Sequence, residues 1–282
     1  MIIFKHSTDL HSYLEKIRIT NKTIGFVPTM GALHDGHFSL IEECRKQSSL
    51  TICTIFVNPT QFNNPEDFKK YPVTIEKDIL FLEEHACDIL FLPDEKEIYP
   101  DAASKKKHFD LGYIETILEG QFRPGHFQGV CLIMEKLLNI INPDFLFLGQ
   151  KDFQQCLVIK KLISMMNLKV NVVICPTLRE QNGLAMSSRN TRLTNQERTV
   201  AAELHACLQF IKKNLTKDNF YKLRTNAILY LEKAGFKIDY LELANTKNLA
   251  LMDHYESKEN LIILIAAYLN NVRLIDNLLI NN

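Results

Sequence analysis

Apolar residues in the first two-thirds of the chain fall into short runs, separated by stretches where they recur every three or four positions. Residues 23–27 read as a strand ending at Pro28. His37, Leu40, Ile41 and Cys44 then mark one face of a helix. Residues 51–57 form a second apolar run. Ile75, Ile79, Leu82 and Ala86 predict the next helix, and residues 88–92 the next strand. Val130, Met134, Leu137 and Ile141 give a further helix, before a strand at 145–148. Val158, Leu162 and Met165, then a strand at 170–175, close the series. Short apolar strands alternating with amphipathic helices predict an α/β domain, a parallel sheet covered on both faces. Ligands of such sheets bind beyond the carboxyl ends of the strands, so the post-strand loops are where chemistry is expected.

The pattern changes near Pro176. Thr194 and Glu197 have capping-box spacing and open a helix, and a second helix ends at Gly235. Strand-like runs follow at 237–243, 260–269 and 271–280. Two helices and three strands predict a smaller α+β domain over residues 177–282, after a larger domain over 1–176.

Composition narrows the function classes. Lys plus Arg equals Asp plus Glu, 33 each, whereas nucleic-acid binders draw most of their affinity from a basic excess. Any phosphate recognition should therefore come from a few placed groups. The run Lys105-Lys106-Lys107 reads as a solvated loop. Seven cysteines without a C-x-x-C pair, mostly inside apolar runs, read as reduced, buried thiols with neither disulfide frame nor zinc site. No apolar segment follows the first six residues as in a signal peptide. The longest apolar run, 261–269, falls short of the roughly 20 residues that span a bilayer. A soluble, cytoplasmic protein is expected, with no membrane and no nucleic-acid partner.

Four post-strand loops carry candidate chemistry. After the first strand, His34 and His37 flank Gly36 at a helix start, where backbone N–H groups and the helix dipole favour an anion. This is either a triphosphate cradle with imidazole donors or a helix start with incidental histidines. After the second strand, Gln61 offers an amide suited to a carboxylate or hydroxyl, within what otherwise reads as a turn-rich connection. After the strand at 145–148, Lys151 supplies a point charge for phosphate. Asp152 is a candidate ligand for Mg²⁺, and Gln155 lies one turn beyond Lys151. A lysine at a helix N-terminus opposes the dipole, which argues for a ligand role. After the last strand, Ser187, Ser188 and Arg189 read as phosphate donors or as polar loop. Asp78 reads as a helix surface charge or as a second metal carboxylate. Together the four loops imply one phosphate-bearing, anionic ligand.

The same residues resemble the pantothenate synthetases. The resemblance rests on Pro28-Thr29-Met30-Gly31-Ala32-Leu33-His34-x-Gly36-His37, Val57-Asn58-Pro59-x-Gln61-Phe62, Glu66-Asp67-Phe68 and Tyr71-Pro72. It continues through Leu118-Glu119-Gly120, Arg123-Pro124-Gly125-His126-Phe127, Gly149-x-Lys151-Asp152, Gln154-Gln155, residues 183–190 and residues 273–277. Gln150 stands where that family usually has Glu, Leu148 where it has Phe, and Val73 where Arg is common. The resemblance implies a Rossmann-like, doubly wound first domain and a C-terminal lid. It implies activation of pantoate by ATP as an acyl-adenylate, then coupling to β-alanine, in an enzyme commonly dimeric. It places ATP against Met30, Gly31, Ala32, Leu33, His34, Asp35, Gly36 and His37, and against Gly149, Gln150, Lys151, Asp152, Leu178, Met186, Ser187, Ser188 and Arg189. It assigns pantoate to Gln61 and Gln155, β-alanine to Gln61, and charge stabilisation to His34, His37, Lys151 and Arg189 with Mg²⁺ on Asp152. The neighbouring readings are a nucleotidyltransferase acting on a phosphorylated substrate and a nucleotide sensor without activity.

Overall fold

The computed structural model describes residues 1–255 and 260–280. They form two compact units: Met1–Gly149 with Val158–Pro176, and Gln150–Leu157 with Thr177–Asn282.

The first unit is built on a six-stranded parallel sheet. Its strands are β1 (Ile2–Phe4), β2 (Ile24–Thr29), β3 (Leu50–Ile55), β4 (Ile89–Phe91), β5 (Phe145–Gly149) and β6 (Asn171–Cys175), in the order β1-β4-β3-β2-β5-β6. From β4 to β6 this is the doubly wound pattern, and the winding reverses between β2 and β5. A crevice outside the strand ends is expected at that reversal. β2 continues through Pro28 to Thr29, in register with Thr54 and Ile55 of β3. Its pairing with β5 covers only Gly25 and Phe26, so the proline, which has no N–H, falls where one neighbour is paired.

Helix Asp35–Gln47 follows β2. It buries Phe38, Leu40, Ile41 and Cys44 against Val27, Cys53 and Phe147. Each such side chain contributes roughly 1.5–3 kcal/mol by leaving water. Asp35 in its first turn and Arg45 and Lys46 in its last complement the dipole. The helices Ile75–Glu84, His126–Ile141 and Phe153–Met165, the last in this unit only from Val158 onward, complete the expected alternation. Strand β1 and helix Ser7–Arg18 add an edge that the sequence pattern did not mark. The lysine run is exposed at Lys105 and Lys107, which pair with Glu95 and Glu135.

The second unit carries an antiparallel sheet of β7 (Phe236–Asn245), β8 (Leu261–Leu269) and β9 (Val272–Leu279), in that order. Three helices precede it where two were expected: Asn195–Ala201, Glu203–Asn214 and Phe220–Lys233. The Thr194–Glu197 capping box is present, but the helix it opens breaks at Ala202, with neither Gly nor Pro to announce the break. Leu204, Leu208, Ile211 and Leu231 pack on Leu241, Leu243, Ile263 and Ile265 to form the core of this unit.

Candidate functional site

The loop leaving β2 is held in shape by groups of the protein itself. Gly31 has φ +81° and Ala32 has φ +49°, a left-handed turn that glycine tolerates and alanine adopts only when held. The holding group is Asp78. Its carboxylate accepts the N–H of Ala32 at 2.9 Å and of Leu33 at 2.8 Å, and the hydroxyl of Thr74 at 3.1 Å. Asp78 is 2 % exposed, so its reading as a helix surface charge is corrected: a surface position could not deliver an acceptor to a loop 45 residues away. A β-carbon at Gly31 would stand 3.0 Å from Ile55 and 3.1 Å from the Asp78 carboxylate, so both φ and space favour glycine. Met30, Ile55, Val57, Val73 and Leu92 line a cavity of about 120 Å³ against this loop.

His34 and His37 sit at the start of the helix that follows. They stand at its N-cap and third positions, with ring centroids 4.1 Å apart. The His34 N–H donates to Nδ1 of His37 at 3.3 Å. A backbone N–H can only donate, so Nδ1 of His37 is an acceptor and the neutral ring carries its proton on Nε2. The histidines thus serve the helix start and leave His37 as an Nε2–H donor. Asp35 and Gly36 open the helix between them.

Gln61 lies in the turn Pro59–Gln61 after β3. Asn58, 1 % exposed, organises this turn. Its amide donates to the Gln61 side-chain oxygen at 3.1 Å and to the Gly129 carbonyl at 3.1 Å. Its oxygen accepts from the hydroxyls of Thr60 and Tyr99, each at 2.9 Å. His126 Nδ1 donates to the Gln61 carbonyl at 2.8 Å. The Gln61 amide nitrogen rests 2.8 Å from the sulfur of Met30, which brings the second loop to the first. A β-carbon at Gly129 would lie 2.1 Å from the Thr60 carbonyl, so only glycine allows helix His126–Ile141 this close to the turn. Sequence reasoning assigned no role to Asn58, Tyr99, His126 or Gly129. The only signal was the presence of Asn58 and His126 in the motifs carrying the resemblance.

In the second unit, Gln150–Asp152 form a single 3₁₀ turn leading into helix Phe153–Met165. Gly149 ends β5 in the first unit. Lys151 Nζ is 3.6 Å from the Asp152 carboxylate; the two side chains are 19 % and 45 % exposed. Gln155 is half-buried on the same helix. Leu178 is exposed, and its carbonyl accepts the Met186 N–H at 3.0 Å. Ser187 caps the turn Ser188–Arg192 by accepting the Arg189 N–H at 3.3 Å. Ser188 is buried and Arg189 half-buried.

Among the described residues no three His, Cys, Asp or Glu side chains converge on a metal position. A single half-exposed carboxylate such as Asp152 fits a cation that takes most of its ligands from phosphate and water, as Mg²⁺ does. All seven cysteines are buried and unpaired. Burial pushes the thiols of Cys87 and Cys131 up to about 12 and those of Cys175 and Cys207 up to about 11, so none of these four supplies a thiolate. No helix among the described residues is long and apolar enough to cross a membrane.

A doubly wound sheet and a pinned post-strand loop with an H-x-G-H helix start, all in the first unit, define a protein of the nucleotide-binding α/β class. The profile described as Pantoate-beta-alanine ligase matches residues 2–279. The chain is 42% identical to the pantothenate synthetase of Cytophaga hutchinsonii over 286 residues, covering 99% of each. It is also 42% identical to that of Flavobacterium psychrophilum over 281 residues, again 99% of each. The pantothenate synthetase of Thermus thermophilus superposes with a TM-score of 0.88 at 32% identity over 100% of both chains. The pantoate-beta-alanine ligase of Francisella tularensis, solved with beta-gamma ATP and beta-alanine, superposes with a TM-score of 0.82 at 38% identity, covering 99% of this chain and 97% of that one. This chain belongs to the pantoate–β-alanine ligase family.

Proposed function

We propose that this chain condenses pantoate with β-alanine through a pantoyl adenylate, converting ATP to AMP and pyrophosphate. The observation that carries this reading is the loop of residues 30–37: pinned by Asp78, it presents a histidine pair at a helix N-terminus. Family membership selects ligation over transfer of AMP to a phosphorylated substrate. The Francisella tularensis ligase, solved with a nucleotide and beta-alanine, supports both substrates.

In the first step a pantoate carboxylate oxygen attacks the α-phosphorus, and the bond to pyrophosphate breaks. The nucleophile already bears its charge, so no base is needed; in-line placement and relief of negative charge are. His37 donates its Nε2–H to a phosphate oxygen, and Lys151 and Arg189 supply cations. Met30, Gly31, Ala32, Leu33, His34, Asp35 and Gly36 line the nucleotide in the first unit. Gly149, Gln150, Leu178, Met186, Ser187 and Ser188 complete its contacts. Mg²⁺ held by Asp152 would neutralise phosphate charge.

Gln61 and Gln155 take the pantoate oxygens. The Gln61 amide rests on a thioether, a weak acceptor, and exchanges it for a carboxylate at little loss. In the second step the β-alanine amine, contacted by Gln61, attacks the acyl carbon. AMP leaves and the nitrogen gives up a proton. The same reading makes the protein a cytoplasmic homodimer.

The test is pyrophosphate release. It should require ATP and pantoate but not β-alanine, with AMP and pantothenate appearing once β-alanine is added. A dinucleotide product would restore the nucleotidyltransferase. Nucleotide binding without pyrophosphate release would mark a sensor.

A further inference from the structure

The chemistry above gives no part to Asp276 and Asn277, adjacent residues of β9 that are 4 % and 1 % exposed. Polar groups this deep in a strand are retained only with their hydrogen bonds filled; beside the His205 ring 3.6 Å from Asp276, the bonds here lead to the lysine turn and, through Arg179, to the base of the 183–190 loop. The Asn277 amide nitrogen donates to the carbonyls of Gln150 and Lys151, both at 2.9 Å. Its oxygen accepts from the Gln150 side chain at 3.1 Å. All the donors of this side chain, and one side of its acceptor, are therefore spent on the lysine turn.

Asp276 faces the other segment. Its two oxygens accept the Arg179 guanidinium at 2.7 and 2.9 Å, and it takes the Asn277 N–H at 2.7 Å. Arg179 also donates to the Gly183 carbonyl at 3.1 Å. It is bridged to Ala185, one residue before the run 186–189. A fork–fork pair fixes direction as well as distance. Two consecutive β9 residues thus clamp the turn bearing Lys151 and the base of the loop bearing Arg189, all within one unit.

We propose that Asp276 and Asn277 are positioning residues that hold Lys151 and the 186–189 run in one mutual register, so that their cations and N–H donors meet the polyphosphate as a preformed set. The proposal rests on the phosphate roles given above to Lys151 and Arg189. Neither β9 side chain needs to touch a substrate. Asn277 acts through two carbonyls of the lysine turn, and misplacement of a charge-stabilising group by about 1 Å is worth on the order of a hundredfold in rate.

A double-mutant cycle on pyrophosphate release with ATP and pantoate tests this: wild type, Asn277→Ala, Lys151→Ala and the double variant, each normalised to folded protein. Asn277→Ala should lower kcat by about tenfold to a hundredfold with the KM for pantoate within about threefold of wild type. In the Lys151→Ala background the same change should cost less than about threefold, because the group being positioned is gone. Asn277→Ser, which keeps one hydroxyl donor, should recover part of the loss; it replaces Asn277→Ala in the cycle if that variant does not fold. A lower melting temperature with unchanged kcat, or losses that multiply in full, would overturn the proposal. Full activity in Lys151→Ala alone would remove the phosphate role of that lysine and this proposal with it. Failure of the positioning idea by itself leaves Lys151→Ala impaired.

Discussion

A carboxylate buried without partners would cost several kcal/mol, and Asp78 is tolerated because three donors converge on it. Two of these are N–H groups of the loop, so the same bonds that satisfy the carboxylate hold Ala32 at positive φ. Asp78→Asn keeps the shape but turns one oxygen into a donor facing an N–H. Leaving one such group unsatisfied costs about 1–3 kcal/mol. The expected outcome is a KM for ATP raised about tenfold, with the KM for pantoate little changed; steady-state kinetics check it. The fixed tautomer of His37 carries a second expectation. His37→Ala should slow pyrophosphate release by about a hundredfold, yet leave the coupling of supplied pantoyl adenylate to β-alanine within about threefold. Equal loss in both half-reactions would refute the assignment. Asp78 was legible as an acid but not as an anchor, because its partners lie 45 and 46 residues away. Asn277, whose partners are 126 and 127 residues away, was hidden for the same reason.

Among the elements, those that the sequence revealed best are the ones whose apolar pattern is long enough to repeat. Helix His126–Ile141, with eleven buried residues, and the fully buried β3 could be read from spacing alone. β1 could not: it is three residues long, none of them buried. The approach of helix His126–Ile141 to the turn Pro59–Gln61 was also unreadable, because it depends on one missing side chain. Gly129→Ala would drive a methyl group into the Thr60 carbonyl, 2.1 Å away. The helix or the turn must then move, at a cost of about 1–3 kcal/mol, and Gln61 moves with the turn. Thermal unfolding should show the loss of stability. Kinetics should show a raised KM for pantoate and β-alanine with that for ATP nearly unchanged. An unchanged KM for both acids would separate the turn from their binding.

For the molecule as a whole, acid stability follows from the ion pair at the base of the 183–190 loop. Burial pushes the Asp276 carboxyl up. His205, 3.6 Å away, and the Arg179 fork outweigh it, so the group lies below its ordinary value of 3.8. A carboxyl depressed on folding stabilises the native state above its unfolded value, and that contribution is lost as pH falls through the folded value. Denaturant unfolding should therefore show wild type losing stability below about pH 4 more steeply than Asp276→Asn. Above that range the variant should be less stable by about 3–5 kcal/mol, since Arg179 is left without its partner. Parallel pH curves for the two proteins would contradict this.

Residues 150–157 belong with the C-terminal chain although the stretch Val158–Pro176, part of the other unit, separates them from its start at Thr177. A gene fragment beginning at Thr177 would encode all of β7, β8 and β9 but omit the peptide that Asn277 grips. The buried Asn277 amide would lose the Gln150 and Lys151 carbonyls to which it donates. Such an excised piece should behave as a loosened, aggregation-prone polypeptide. Supplying a synthetic peptide of residues 150–165 in trans should tighten it.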